Sequence, residues 1–218
     1  MNKRFALAAC AVSMVTALGV CVAPTSQASQ PMKGAPQDVA GTGDGVPSFS
    51  PIDEPVIVIM THDGASNFIV SPIGADGEDG FSWANVIGPY SGTTLQEMGD
   101  IFASYGRKNP IVAAEVKADG NWVMQVRKLS QAPRQSLSRG QGIGDQVIAF
   151  SRSPSGLKKM TLTHLGSSNF IVKPVDSKGS VGMSLVNEIG QYKGTVRLPS
   201  GTKYLWVQAD GEWNYSVS

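Results

Sequence analysis

Residues 61–93 recur, without a gap, as residues 163–195, and 18 of the 33 aligned positions are identical. An internal duplication of this strength means that one structural unit is built twice, and any fold assignment must account for both copies. The likeness extends outward. Gly41-Thr-Gly-Asp-Gly-Val46 returns as Gly142-Ile-Gly-Asp-Gln-Val147, and Ala118-Asp-Gly-Asn-Trp122 as Ala209-Asp-Gly-Glu-Trp213.

Within each copy the hydrophobic pattern is that of short strands between turns. The segments are 46–49, 55–61, 67–73, 81–87, 111–117 and 122–126, matched by 147–150, 157–163, 169–175, 183–189, 203–208 and 213–217. Glycines and aspartates punctuate them at the spacing of an antiparallel sandwich. In 81–87 the alternation puts Phe81, Trp83, Asn85 and Ile87 on one face. Pro72 and Pro174 have no N–H to give a ladder and suit an edge strand or a strand end. Asp119-Gly120 and Asp210-Gly211, each between two apolar runs, predict tight hairpins. The predicted fold is all-β: two tandem antiparallel β-sandwiches, jelly-roll or Ig-like.

The chain opens with Lys3 and Arg4, a small apolar run from 5 to 22, and Ser26-Gln27-Ala28. This is the pattern of a cleaved export signal, with cleavage expected after Ala28 and no transmembrane segment in the mature chain. Leu18-Gly19-Val20-Cys21 resembles a lipoprotein signal, but Val20 is larger than that signal wants, so lipidation at Cys21 is not the expectation. The only cysteines, Cys10 and Cys21, lie inside the signal, so stability must come from core burial rather than disulfides. The predicted organisation is 1–28 signal, 29–40 polar leader, 41–127 first sandwich, 128–141 Ser/Arg/Gln/Gly-rich linker and 142–218 second sandwich. The first copy carries about 11 extra residues near 97–108.

A net charge of +1 hides a polarity: residues 29–127 hold 5 basic and 12 acidic side chains, residues 128–218 hold 11 and 5. A basic second copy suits an anionic envelope polymer, or oppositely charged copies associating end to end. The basic residues are too scattered to predict a nucleic-acid partner.

For chemistry, His62 and His164 are the only histidines and occupy equivalent places. A metal site would need further ligands, and the sequence places no cysteine or carboxylate cluster beside them. No serine lies in a G-x-S-x-G turn. Asp44 and Asp145 are single carboxylates in their turns, and Asp76, Glu78 and Asp79 have no acidic counterparts in the second copy. Neither cofactor nor metal is expected. The aromatic residues Trp83, Tyr90, Trp122, Tyr192, Trp206 and Trp213 could stack on sugar rings if they line a groove, and the loops 74–80 and 98–108 carry variation suited to contacts.

Taken together, G-x-G-D-x-V, G-x-S-N-F-x-V, N-x-I-G-x-Y-x-G-T and A-D-G-x-W resemble a repeat of exported proteins and lipoproteins of Gram-positive, especially actinobacterial, bacteria. The resemblance implies a compact β-sandwich and transfers no catalytic residues. The function expected is non-catalytic binding at or outside the cell envelope, the ligand being a glycan, wall polymer or surface protein. The alternatives are an envelope hydrolase or metal-dependent enzyme using the His62 and His164 region, and a self-associating surface protein.

Overall fold

A computed structural model describes residues 36–97 and 109–218. The expected export signal, residues 29–35 of the leader and the 98–108 insertion lie outside the described residues. The first half forms β1 (Gln37–Thr42), β2 (Ser48–Ile52), β3 (Val56–His62), β4 (Asn67–Gly74), β5 (Ala84–Ile87), β6 (Tyr90–Gln96), β7 (Ile111–Lys117) and β8 (Asn121–Lys128). These pair in the orders β1-β8-β3-β6 and β2-β7-β4-β5. The second half forms β9 (Arg134–Gln135), β10 (Arg139–Ile143), β11 (Gln146–Phe150), β12 (Lys158–His164), β13 (Asn169–Val175), β14 (Val186–Ile189), β15 (Tyr192–Leu198), β16 (Tyr204–Ala209) and β17 (Glu212–Val217). Its sheets are β10-β17-β12-β15 and β14-β13-β16-β11-β9.

With β9 set aside, the two halves have the same order. Eight strands in two four-stranded antiparallel sheets, with neighbours 1-8-3-6 and 2-7-4-5, make a double-sheet jelly roll. Alternation explains the cores. In β3 and β12, Met60 and Leu162 point inward beside Met124 and Tyr215, while between the sheets Phe68 and Phe170 fill equivalent places.

The structure corrects several sequence expectations. The Asp-Gly turns are not hairpins, because β7 and β8 lie in different sheets, as do β16 and β17. The turn therefore bridges the sandwich, and its aspartate tethers a second loop. The leader boundary moves, since β1 begins at Gln37 and pairs with β8. The 128–141 segment is not a free linker. It contains a 3-10 turn (Leu129–Gln131), β9 and most of β10, and Leu129 and Ala132 are buried. Strands β4 and β13 are interior, not edge, strands, and Pro72 and Pro174 lie near their C-terminal ends, the other place expected for them. Pro72 is tolerated because its carbonyl accepts the Gly80 N–H on the side away from β7, where no ladder N–H is needed. The phase of 81–87 is broken at Trp83, whose N–H bonds the Val70 carbonyl. Trp83, Ala84 and Val86 turn toward the core, and Phe81, Asn85 and Ile87 face solvent.

Both halves lie in one compact unit, Pro31–Ser218. A third apolar cluster joins them. From the first half it takes Ile57 and Leu95, on the outward face of β3 and β6. From the second it takes Val147, Ala149, Val175 and Tyr204 on β11, β13 and β16. The contact uses one kind of sheet from each half, so it is heterologous.

Candidate functional site

Each histidine ends the strand that leads into a glycine turn. His62 is buried, stacks on Phe68 at 4.6 Å with the rings 7° apart, and directs Nδ1 to the Gly88 carbonyl at 3.1 Å. A carbonyl only accepts, so Nδ1 carries the proton in this bond. Nε2 is buried and faces Asp119 Oδ1 at 3.4 Å without a hydrogen bond, a contact that becomes an ion pair only when the ring is protonated. The second half repeats this: His164 stacks on Phe170 at 4.6 Å, with Nδ1 2.8 Å from the Gly190 carbonyl and Nε2 3.3 Å from Asp210 Oδ1.

The other carboxylate oxygen of each aspartate organises the loop after the histidine. Asp119 Oδ2 accepts the N–H groups of Ala65 and Ser66, each at 3.0 Å. Asp210 Oδ2 accepts those of Ser167 and Ser168, each at 2.9 Å, and the Ser167 hydroxyl at 3.1 Å. The Ser66 N–H, joined by that of Ala65, holds the Asp119 carboxyl below the ordinary 3.8. Burial pushes Asp210 up, but the Ser167 and Ser168 N–H groups outweigh it and the net shift is downward. A Cβ on Gly64 would sit 2.1 Å from Asp119 Oδ1, and one on Gly166 would sit 2.1 Å from Asp210 Oδ1. Only glycine admits the close approach, which explains T-H-x-G-x-S-N-F as a packing motif.

This geometry leaves no outward-facing imidazole nitrogen, because both nitrogens of each ring face protein groups. Ser167 Oγ donates to the aspartate rather than to the histidine. Among the described residues there is no group of three or more His, Cys, Asp or Glu able to hold a metal ion.

The aromatic residues do not share a groove. Trp83, Trp122 and Trp213 are buried; their indole N–H groups donate to Gln96 Oε1 and to the Gly43 and Gly144 carbonyls. Tyr90 and Tyr192 pack against Phe68 and Phe170 beneath. Trp206 lies against the cluster joining the halves, with Lys173 Nζ 4.6 Å from its ring centre. Stacking on a sugar needs an open ring face; Trp83, Trp122 and Trp213 are buried, while Tyr90, Tyr192 and Trp206 are half-buried.

Two surfaces remain with distinctive chemistry. One is a clasp between the halves. The Tyr90 hydroxyl donates to Asp145 Oδ2 at 2.8 Å, the Thr93 N–H donates to the Asp145 carbonyl at 2.9 Å, and Asp145 Oδ1 accepts the Ala209 N–H at 2.9 Å. Burial raises the Asp145 carboxyl, with the Ala209 and Tyr90 bonds opposing, and burial beside Asp145 raises the Tyr90 hydroxyl.

The other is the outward face of β10-β17-β12-β15. It exposes Arg139, Lys159, Lys193 and Arg197 against a single acid, Glu212. Lys159 and Arg197 are direct cross-strand partners. Like charges so placed repel, and no carboxylate among the described residues forms a salt bridge with either. The sequence signal for this face was present as the basic excess of the second copy; its collection on one sheet face required the strand register.

No protein-family model matches the chain, and no curated protein does. Among solved structures it is similar to the PBSX exported protein XepA, at 8% identity and a TM-score of 0.26, over 86% of this chain and 89% of that one.

Proposed function

We propose that this is an exported, non-catalytic interaction protein acting at or outside the cell envelope, and that its working surface is the basic outer face of β10-β17-β12-β15. The carrying observation is the unneutralised Lys159–Arg197 pair, flanked by Lys193 and Arg139. An anionic partner relieves that repulsion, and the field of four cations steers it to the face. The export signal read from the sequence and the twofold β-sandwich support the setting.

Retention on immobilised polyphosphate, with neutral dextran as control, tests the reading. The protein should bind the polyanion and not dextran. Binding should weaken at high salt, where charges more than a few Å apart are screened. The Lys159→Glu, Arg197→Glu double variant should lose it. Equal retention on dextran, or an unchanged double variant, would remove the basic face from consideration.

A further inference from the structure

We infer that the anionic partner of the basic face is the opposite end of a second copy of this chain, so that the protein associates head to tail; this rests on the basic face being the working surface. The interface between the halves is the template. Being heterologous, it leaves one unused surface of each kind: the outer face of β12 and β15 on the second half, and that of β4 and β7 on the first.

The duplication shows what occupies the unused surfaces. Ile57 and Leu95, cross-strand partners in the buried contact, become Lys159 and Arg197, again cross-strand partners. Among the second-half residues packed against that cluster are Val181 and Trp206. Their first-half equivalents are Asp79 and Glu115, as the shared registers of Val175 with Val181, Ile73 with Asp79, Lys173 with Trp206 and Ser71 with Glu115 establish. Two apolar residues from each side of the buried contact are thus replaced, on the two open faces, by cations on one and carboxylates on the other, while Val175 and Tyr204 correspond to the uncharged Ile73 and Ala113.

The clasp is also repeated in open form. Tyr192 stands where Tyr90 does, and its hydroxyl makes no hydrogen bond among the described residues. Asp44 stands where Asp145 does. Its Oδ1 accepts the Ala118 N–H at 3.0 Å, as Asp145 Oδ1 accepts that of Ala209, and among the described residues its Oδ2 has only Lys117 Nζ, 3.9 Å away. Docking the second half of one copy onto the first half of the next, in the orientation the halves already adopt, brings Tyr192 to Asp44 and sets the face with Lys159 and Arg197 against the face with Asp79 and Glu115. A heterologous contact whose rotation does not close gives open chains rather than dimers. Lys117, bonded to Glu115 at 2.9 Å, offsets part of the attraction, so association is weak and strongly salt-dependent.

Sedimentation of the purified protein over a concentration series decides it, at about 0.05 M and about 0.5 M salt. The expected result is a concentration-dependent ladder at low salt that collapses to monomer at high salt. Glu115→Lys should weaken association at least about tenfold, as should Lys159→Glu with Arg197→Glu. Mixing these two variants pairs the intact basic end of one with the intact acidic end of the other, and the two reversed ends are also opposite in charge, so the mixture should regain the association that each variant alone has lost. Tyr192→Phe, which keeps the ring, should weaken association by a few fold. Unchanged circular dichroism keeps a folding defect from counting as support. A wild-type chain that stays monomeric at low salt overturns the inference, as does a ladder that neither charge variant shortens. Monomeric protein that still binds polyphosphate through Lys159 and Arg197 removes the second copy but keeps the basic face; monomeric protein that binds neither removes both.

Discussion

Ile57 and Lys159 occupy the same place on the same strand of two copies of one fold, and so do Leu95 and Arg197. In the first half the position is buried, with Ile57 1% exposed; in the second, Lys159 is exposed. The backbone is common to both, so strand geometry does not choose the residue type. What chooses it is whether something covers the face. The comparison teaches that the outward positions of a duplicated sandwich report its contacts, whereas the inward ones report only the fold.

Exchanging the two residues is the largest test. Ile57→Lys buries an unpaired ammonium against Leu129 and Tyr204 and should cost about 3–5 kcal/mol. Lys159→Ile should change stability by no more than about 0.5 kcal/mol in the monomer. Urea denaturation of both variants measures the difference. Equal effects would mean that the halves do not pack through β3 and β6.

Much of the fold was legible because the repeat served as its own alignment. Periodicity located most strands, and Asn67-Phe-Ile-Val and Asn169-Phe-Ile-Val form β4 and β13 where expected. What could not be read was pairing between distant strands. Asp-Gly marks a tight reversal, but local sequence does not say whether the following strand joins the same sheet. Here it crosses to the other one, and Asp119 and Asp210 are therefore histidine partners rather than hairpin residues. The signal available was that His, Gly, Ser-Asn and Asp-Gly are all retained together in both copies. The basic face was hidden for a related reason: Arg139, Lys159, Lys193 and Arg197 are scattered in sequence and meet only through register.

If the two histidine tethers are structural equivalents, they should fail equally. His62→Ala and His164→Ala each remove a ring stack and a bond to a buried-side carbonyl, and each should cost about 2–4 kcal/mol. Thermal melts at neutral pH provide the comparison. A large loss for one and none for the other would show that one copy has taken on a different role.

The clasp sharpens the contrast at a smaller scale. Tyr90→Phe leaves the half-buried Asp145 carboxylate without its hydroxyl donor and should cost about 1–2 kcal/mol. Tyr192→Phe removes a hydroxyl that bonds nothing among the described residues and should fall within about 0.5 kcal/mol in the monomer. Equal costs would indicate a partner for Tyr192 in the monomer itself and would undercut the open clasp.

The smallest effect is expected from pH, and it has opposite signs in two places. Asp119 and Asp210 are held below 3.8 in the folded protein, so their contribution is present above that value and is lost as pH falls through the lower folded one. Asp145 is raised, so its folded form holds a proton more tightly than its unfolded form. Its contribution is full below 3.8 and is lost as pH rises through the folded value, because an ionised carboxylate must then stay buried between the halves. Acidification therefore weakens the loop tethers within each half and favours the protonated clasp between them. Carboxyl carbon-13 titration should place Asp145 above 3.8 and the other two below it. Amide exchange, corrected for its intrinsic pH dependence, should show protection of Ser66 and Ser168 falling in acid while that of Ala209 does not. Asp145 titrating alongside the other two would mean that the space between the halves is open to water, and the covered face that distinguishes Ile57 from Lys159 would lose its explanation.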